Sequence, residues 1–287
     1  MFARLSKNPD FLRLFRLALL FLTVFYTFLT IAFIQRWSFT RDLWPWTGTY
    51  SSLNGLSSIF IASIAAATAG SLFWTVWTGE VAGAAGGGID LLFTFGGSGI
   101  FLLQDYLAMG SSRSLIASVI CLLIAIGSII VFWTGNQIPF KDPRPQPLLV
   151  RRSFMFFIFL LLAVGTILIL KIEDVFPWNI SVQASVVYGW IFIGAGLYFS
   201  YSLVRTGWAN TGGQLAGFLA YDLVLIYPFL TYLSRVPDHL RFALLLYIGT
   251  LVYSGIMAIY YLFFNPKTRF QRTQTIEQRQ PVVEPSL

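Results

Sequence analysis

The chain has 287 residues, a mass of 32.3 kDa and a formal net charge of +7. Hydrophobic residues make up 56% of it and charged residues only 11%, and its mean hydropathy is +0.72. Soluble domains carry about 25% charged residues. The composition therefore excludes a soluble enzyme and predicts a protein that lies mostly in lipid.

Two residue counts limit the chemistry open to this chain. It contains one cysteine, Cys121, and one histidine, His239. An internal disulfide, a metal site built from several cysteines and a haem held by two histidines are therefore excluded. The sequence predicts no metal or other cofactor, no catalytic residue and no enzyme activity.

Uncharged apolar runs predict eight helices long enough to cross a membrane. A span needs about 20 apolar residues, and turn residues between the runs set the boundaries. The predicted helices lie near residues 17–34, 57–78, 82–103, 114–134, 153–170, 184–204, 212–233 and 241–264. The expected fold class is all-α, an integral membrane bundle of about eight transmembrane helices.

Lys and Arg residues in the connections predict the orientation of the bundle. With the N-terminus inside, the inner segments hold thirteen of the 19 basic residues and the outer segments hold six. Cytoplasmic loops retain Lys and Arg, so we expect a multi-pass protein of the cell membrane with both termini in the cytoplasm. Basic clusters that flank apolar runs are typical of membrane-surface charge. The expected partner is therefore the lipid bilayer and not nucleic acid.

The two halves of the chain match at an offset of 132 residues. Asp-x-x-Pro-Trp occurs at 42–46 and again at 174–178, and Asp90-Leu is matched by Asp222-Leu. With Asp10 and Asp142, three exact aspartate pairs share this offset, against roughly 0.1 expected by chance, which favours a duplication. Because each half carries four spans, the repeats would be parallel.

The duplication divides the chain into four predicted segments. They are a first four-helix repeat (1–134), a cytoplasmic basic linker (135–152), a second four-helix repeat (153–264) and a disordered polar tail (265–287).

Asp90 and Asp222 are the candidate substrate- or ion-binding residues. An ionised aspartate at a helix centre costs about 2.5 to 3.5 kcal/mol on insertion scales, so both side chains should face the bundle. One hypothesis makes them a symmetric proton- or cation-binding element at the repeat interface, where transporters place such sites. The alternative is that each carboxyl bonds a hydroxyl or carbonyl on a neighbouring helix and only specifies packing.

Three glycines and two charged residues have structural interpretations. Gly79, Gly83 and Gly87 form a small-xxx-small stripe typical of a helix-packing surface. Glu80 and Arg205 occupy equivalent turns of the two repeats, and we expect them to be solvated rather than paired, since an exposed pair contributes only about 0 to 1 kcal/mol.

The repeated Asp-x-x-Pro-Trp elements precede helices 2 and 6. Trp44, Trp46 and Trp178 are expected to belong to an interfacial aromatic belt. These elements, the apolar Ile-Phe-Ile segments at 59–61 and 191–193 that follow them, and the eight-span layout resemble an uncharacterised class of bacterial polytopic membrane proteins. The resemblance implies the layout and no activity.

The function predicted from these features is a secondary transporter or permease for a small solute or ion, with Asp90 and Asp222 at a central site. The alternative is a non-catalytic membrane subunit or scaffold that packs with other membrane proteins. An intramembrane enzyme using the two carboxyls as acid and base ranks last, because the extra His, Ser or metal ligands are missing. A polar cavity reaching both acids would favour transport, and a dry interior with each acid bonded locally would favour the subunit.

Overall fold

The structure, a computed structural model, describes residues 8–44 and 55–269. Within these residues the chain is all-helical, and each of eight long helices is apolar and long enough to cross a membrane. The helices are α1 (Pro9–Ile34), α2 (Leu56–Thr78), α3 (Ala84–Met109), α4 (Ser112–Asn136), α5 (Leu148–Ile169), α6 (Val182–Val204), α7 (Trp208–Tyr232) and α8 (Asp238–Ile259). The eight predicted spans and the all-α fold class are confirmed. Most of the predicted polar tail lies outside the described residues.

Several helices begin before their predicted starts, α1 and α5 by the largest number of residues. Asn8 caps α1 by accepting a hydrogen bond from the backbone N–H of Asp10 at 2.9 Å, two turns before the predicted start. The first residues of α5 likewise include Arg151 and Arg152. Charged residues are compatible with a helix in water, so the change from charged to apolar sequence marks the membrane surface and not the helix end.

The helices pair in the same pattern in both halves of the chain. If α1, α2, α3 and α4 are taken as the counterparts of α5, α6, α7 and α8, every helix pair has a counterpart pair. Two pairs join the halves, α2 with α7 and α3 with α6. The other four helices pack on these, α1 on α2, α5 on α6, α4 on α3 and α8 on α7. The inner helices of each half therefore pack both against the inner helices of the other half and against the outer helices of their own half. Parallel repeats would give this pairing, and the duplication stays a prediction.

The facing residues follow the same offset in the first helix pair of each half. Ser58 Oγ of α2 donates to the Phe33 carbonyl of α1 at 2.8 Å. Adding 132 gives positions 190 and 165, and in the structure Gly165 of α5 packs against Gly189 of α6. The two contacts agree within one residue.

The cross-pairs between the halves also follow the offset. Gly86 of α3 packs against the ring of Tyr198 on α6. The offset of 132 relates Gly86 to position 218 and Tyr198 to position 66. In the structure the neighbouring residues are in contact, since Gly217 of α7 lies against Ala67 of α2. The inner four helices therefore share one register.

The pairing of α7 with α8 departs from the offset. Ser118 Oγ of α4 donates to the Gly99 carbonyl of α3 at 2.8 Å. Adding 132 to both residue numbers predicts that position 250 of α8 lies opposite position 231 of the second half. Ser254 instead lies opposite Asp222, so α8 is displaced by about five residues, or about 7 Å along the axis. The displacement accompanies an early end of α7, at Tyr232 rather than at position 241, which corresponds to the end of α3.

Trp178 is a core residue, so its assignment to an interfacial belt is wrong. Its side chain is 7% exposed, and its indole Nε1 donates to Ser57 Oγ at 2.9 Å. The ring packs edge-on against Phe60 of α2 and Phe229 of α7. The segment before α6 folds back over the end of the bundle, which buries this ring. Trp46 lies outside the described residues.

The predicted glycine stripe is also wrong. A methyl group built on Gly79 or Gly87 would meet nothing within 4 Å, and Gly79 ends α2 with a φ of 74°. A 3₁₀ turn precedes α3, so the stripe does not lie on one continuous α-helix. The close approaches involve Gly86 and Gly88 instead, against α6 and α4 respectively.

Candidate functional site

Asp90 lies on the face of α3 that packs against α6. Its Oδ1 accepts a hydrogen bond from Thr94 Oγ1 at 3.1 Å, one turn along the same helix. A methyl group built on Gly194 of α6 would collide with both side chains. The carboxyl is half-buried, and the glycine is what allows α6 to approach it.

Phenol groups from two other helices lie near Asp90. Tyr26 of α1 and Tyr198 of α6 lie close enough to interact with its charge. Tyr198 Oη donates to Ser71 Oγ of α2 at 3.2 Å, and Ser71 Oγ donates to the Gly213 carbonyl of α7 at 2.8 Å. A chain of polar groups therefore runs from the neighbourhood of Asp90 across the bundle to α7.

Asp222 faces α8 and is more deeply buried, with 4% of its surface exposed. Its Oδ2 accepts a hydrogen bond from Ser254 Oγ at 2.9 Å and lies against Gly255. Its Oδ1 is buried and has no hydrogen-bond partner in the described part of the chain. Tyr221 and Tyr247, whose hydroxyls bond to each other, lie close by.

The two candidate acids have different neighbours. Asp90 contacts α6, whereas Asp222 contacts α8, and no contact joins them within residues 8–44 and 55–269. The position equivalent to Ser254 is Leu122, which packs against Gly99 and not against Asp90. The displacement of α8 thus gives only Asp222 a partner on the following helix.

Glu80, between α2 and α3, is buried, which corrects the expectation of a solvated residue. It is 2% exposed, and its carboxylate accepts the backbone N–H groups of Lys141 at 3.0 Å and Asp142 at 2.8 Å. Burial raises the pKa of Glu80 above its ordinary value of 4.5, and the two N–H donors partly oppose that shift. Glu80 therefore anchors the connection between α4 and α5.

Arg205, in the equivalent turn of the second half, holds the same connection. Its guanidinium donates to the Gly135 carbonyl at 3.2 Å and to the Ile138 carbonyl at 2.5 Å. It also lies 4.3 Å from the ring centroid of Phe140. Arg205 is half-buried and does not pair with Glu80. The sequence predicts a turn at each of these two positions, and both turns are present. It does not indicate that residues 135–147, here called the clasped linker, fold across both turns.

A cavity of about 370 Å³ opens beside the clasped linker, at the end of the bundle where α5 and α7 begin. Its wall contains residues of the linker, of the start of α5 and of the turn before α7, namely Phe140, Asp142, Pro143, Arg144, Pro145, Gln146, Leu148, Arg151, Thr206 and Gly207. A second cavity of about 310 Å³, at the other end, is lined by Arg36, Leu56, Pro228, Thr231, Tyr232 and Arg235. Neither cavity reaches Asp90 or Asp222.

One sequence feature coincides with the linker cavity, the cluster of basic residues from Lys141 to Arg152. That cluster was predicted to be membrane-surface charge, and its folding into a cavity wall depends on backbone contacts that a sequence does not display. Comparison of the chain with protein-family models, with curated proteins and with solved structures gives no match.

Proposed function

We propose that this multi-pass membrane protein is a secondary transporter or permease for a small solute or ion, with Asp90 as its proton- or cation-binding residue. The observation that supports the proposal is a half-buried carboxyl within a span, beside the phenols of Tyr26 and Tyr198. An acid inside the hydrocarbon region is expensive, and such residues mark ion and proton pathways.

Asp222 has a different role in this proposal. Its burial and its bond to Ser254 suit a residue that fixes α8 on α7. In a membrane, a hydroxyl–carboxyl bond of this kind contributes about 1 kcal/mol to helix association. The sequence prediction of two equivalent binding acids is thereby narrowed to one binding acid and one packing acid.

Proton flux into proteoliposomes tests this assignment. The purified chain is reconstituted with a pH-sensitive dye inside, and valinomycin with a potassium gradient sets an inside-negative potential. Flux is recorded alone and after addition of amino acids, sugars, nucleosides or metal cations. We expect Asp90→Asn to lower the flux at least about tenfold, because an amide carries no exchangeable charge. Asp222→Asn is the matched control and should keep the native flux.

The melting temperature of each reconstituted variant separates lost transport from lost folding. An Asp90→Asn protein that melts like the native chain and keeps the native flux would remove Asp90 from the mechanism.

A non-catalytic membrane subunit is the second candidate function. Both carboxyls bond to hydroxyls, and neither cavity at the bundle ends reaches them. These observations favour acids that specify packing. A native chain that carries no flux with any solute of the panel, under conditions in which it is folded, would support this candidate over transport.

The clasped linker side is the proposed cytoplasmic side. The linker, the start of α5 and the end of α8 place Lys141, Arg144, Arg151, Arg152 and Lys267 at one end of the bundle. An even number of spans puts the two ends of the described chain on that same side, and cytoplasmic segments retain basic residues. Both termini are therefore assigned to the cytoplasm of a cell-membrane protein.

A further inference from the structure

The cavity beside the clasped linker contains one guanidinium that is free to bind a ligand. Arg144 is already committed, since it donates to Asp142 through Nε at 2.9 Å and through Nη2 at 2.5 Å, and to the Arg269 carbonyl at 3.3 Å. Arg151 is exposed and has no carboxylate partner among the described residues. Glu80, the other nearby acid, is occupied by two backbone N–H groups.

Neutral polar groups of the same wall also lack partners. The backbone N–H groups of Thr206 and Gly207, just before α7, donate no hydrogen bond within the described chain, and no side chain caps α7. Gln146 lines the cavity, and neither its amide oxygen nor its amide nitrogen has a hydrogen-bond partner there. Thr206 is exposed and Gly207 is half-buried, so their N–H groups are open to a ligand in the cavity, and the unbonded amide of Gln146 is the buried group of this set.

The unpaired groups share one chemistry. A cationic guanidinium, two backbone donors and an amide together suit an anion with several oxygen atoms, above all a phosphate. Asp142 does not oppose this, because Arg144 neutralises its charge at 2.5 Å.

The position of the cavity indicates where the phosphate comes from. Leu148 and Leu149, at the start of α5 beside the cavity, are 71% and 54% exposed. These two side chains lie about one helical turn before the apolar part of α5, at the level of the lipid headgroups. A phosphate in the cavity can therefore belong to a lipid whose acyl chains lie along α5, and basic pockets between transmembrane helices bind such headgroups.

We infer that the linker cavity binds the headgroup phosphate of an anionic glycerophospholipid, with Arg151 as its charged contact. The bound lipid would join the clasped linker, α5 and α7 at the membrane surface. The inference does not depend on transport and applies equally to a membrane subunit.

Thermal unfolding of the full chain in neutral detergent, followed by tryptophan fluorescence, tests the site. The probes are phosphatidylglycerol, phosphatidylcholine and inorganic phosphate, each titrated separately. Arg151→Gln is compared with Arg152→Gln, which removes the same charge from the next residue of α5, also exposed and outside the cavity wall. We expect phosphatidylglycerol to raise the melting temperature of the native chain and of Arg152→Gln with equal half-saturation. Arg151→Gln should need at least about tenfold more of this lipid.

Each other outcome overturns the inference. Equal titrations of both variants would mean unspecific attraction to basic residues. Equal stabilisation by phosphatidylcholine, whose phosphate charge is offset by its ammonium group, would mean that the site does not select an anionic headgroup. Stabilisation by inorganic phosphate alone would assign the cavity to a soluble ligand. Arg151→Lys keeps the charge and guards against a folding defect, since it should recover most of the phosphatidylglycerol response if the site is correct. Native mass spectrometry should show the lipid retained by Arg152→Gln and lost from Arg151→Gln.

Discussion

Replacing Glu80 with alanine should release the clasped linker while leaving α2, α3 and α6 intact. The side chain is 2% exposed, and its two oxygens accept the N–H groups of Lys141 and Asp142 at 3.0 and 2.8 Å. Alanine leaves both donors without an acceptor. Since the linker joins the two halves of the chain, its release should be felt at the starts of both α5 and α7.

The size of the effect follows from two opposing contributions. A donor left unsatisfied costs about 1 to 3 kcal/mol, so the two N–H groups set an upper value of about 6 kcal/mol. Burial disfavours the carboxylate, as the raised pKa of Glu80 indicates, and alanine removes that penalty. We therefore expect Glu80→Ala to lower the free energy of unfolding by about 2 kcal/mol. Glu80→Gln, which keeps one acceptor oxygen, should lower it by about half as much.

Two measurements check this expectation. Unfolding in mixed micelles of dodecyl maltoside and SDS gives the free energy, and hydrogen exchange gives the protection of the Lys141 and Asp142 amides. In Glu80→Ala these amides should exchange about tenfold faster or more, while the amides of α6 keep their protection. Glu173→Ala removes an exposed acid at the opposite end of the bundle and serves as the control.

Unchanged exchange at both amides would refute the reasoning, whatever happened to the free energy. It would mean that the linker keeps its place without Glu80, through Arg205 or through its own turns. A loss of protection spread over α2 and α3 would also contradict it, because the predicted damage is local.

Two further predictions concern pH and helix packing. Because the folded-state pKa of Glu80 lies above 4.5, the contribution of this group to stability is fully present below pH 4.5 and is lost as the pH rises through the folded-state pKa. Lowering the pH should therefore raise the melting temperature of the native chain relative to that of Glu80→Gln. Parallel curves of melting temperature against pH would exclude Glu80 as the source of the difference. Gly194→Leu should destabilise the bundle by about 2 kcal/mol or more, since the added atoms meet Asp90 and Thr94. Gly127→Leu, on an open face of α4, should leave the free energy of unfolding nearly unchanged in the same assay, and equal losses would contradict the packing described.

The spans were predictable from the sequence because lipid leaves a chain few choices. Backbone N–H and C=O groups in hydrocarbon must bond within the segment, so an apolar run of sufficient length becomes a helix. Helix ends were less predictable, since Asp10 and Arg151 lie on helices that extend beyond the apolar runs. The sequence therefore indicates where a helix enters lipid more clearly than it indicates the residue at which the helix begins.

The candidate site was predictable only in part. The spacing predicts Asp90 and Asp222 as equivalent positions, which stays a prediction. Their neighbours differ because α8 is displaced along α7. That displacement accompanies the early end of α7, where Pro228 lies in the helix and Pro237 precedes α8, two prolines without counterparts in the first half. The contacts of Glu80 were hidden for a similar reason, because they are made with backbone groups 61 and 62 positions away.

The cross-pairing of the inner helices has a consequence for how the protein is made. Ser71 of α2 bonds the Gly213 carbonyl of α7, and the ring of Trp190 on α6 covers Gly97 of α3. A ribosome produces α2 and α3 long before α6 and α7 exist. These two newly inserted helices therefore wait in the bilayer with their small-residue faces uncovered, and the insertion machinery has to keep them from foreign partners until the second half of the polypeptide arrives.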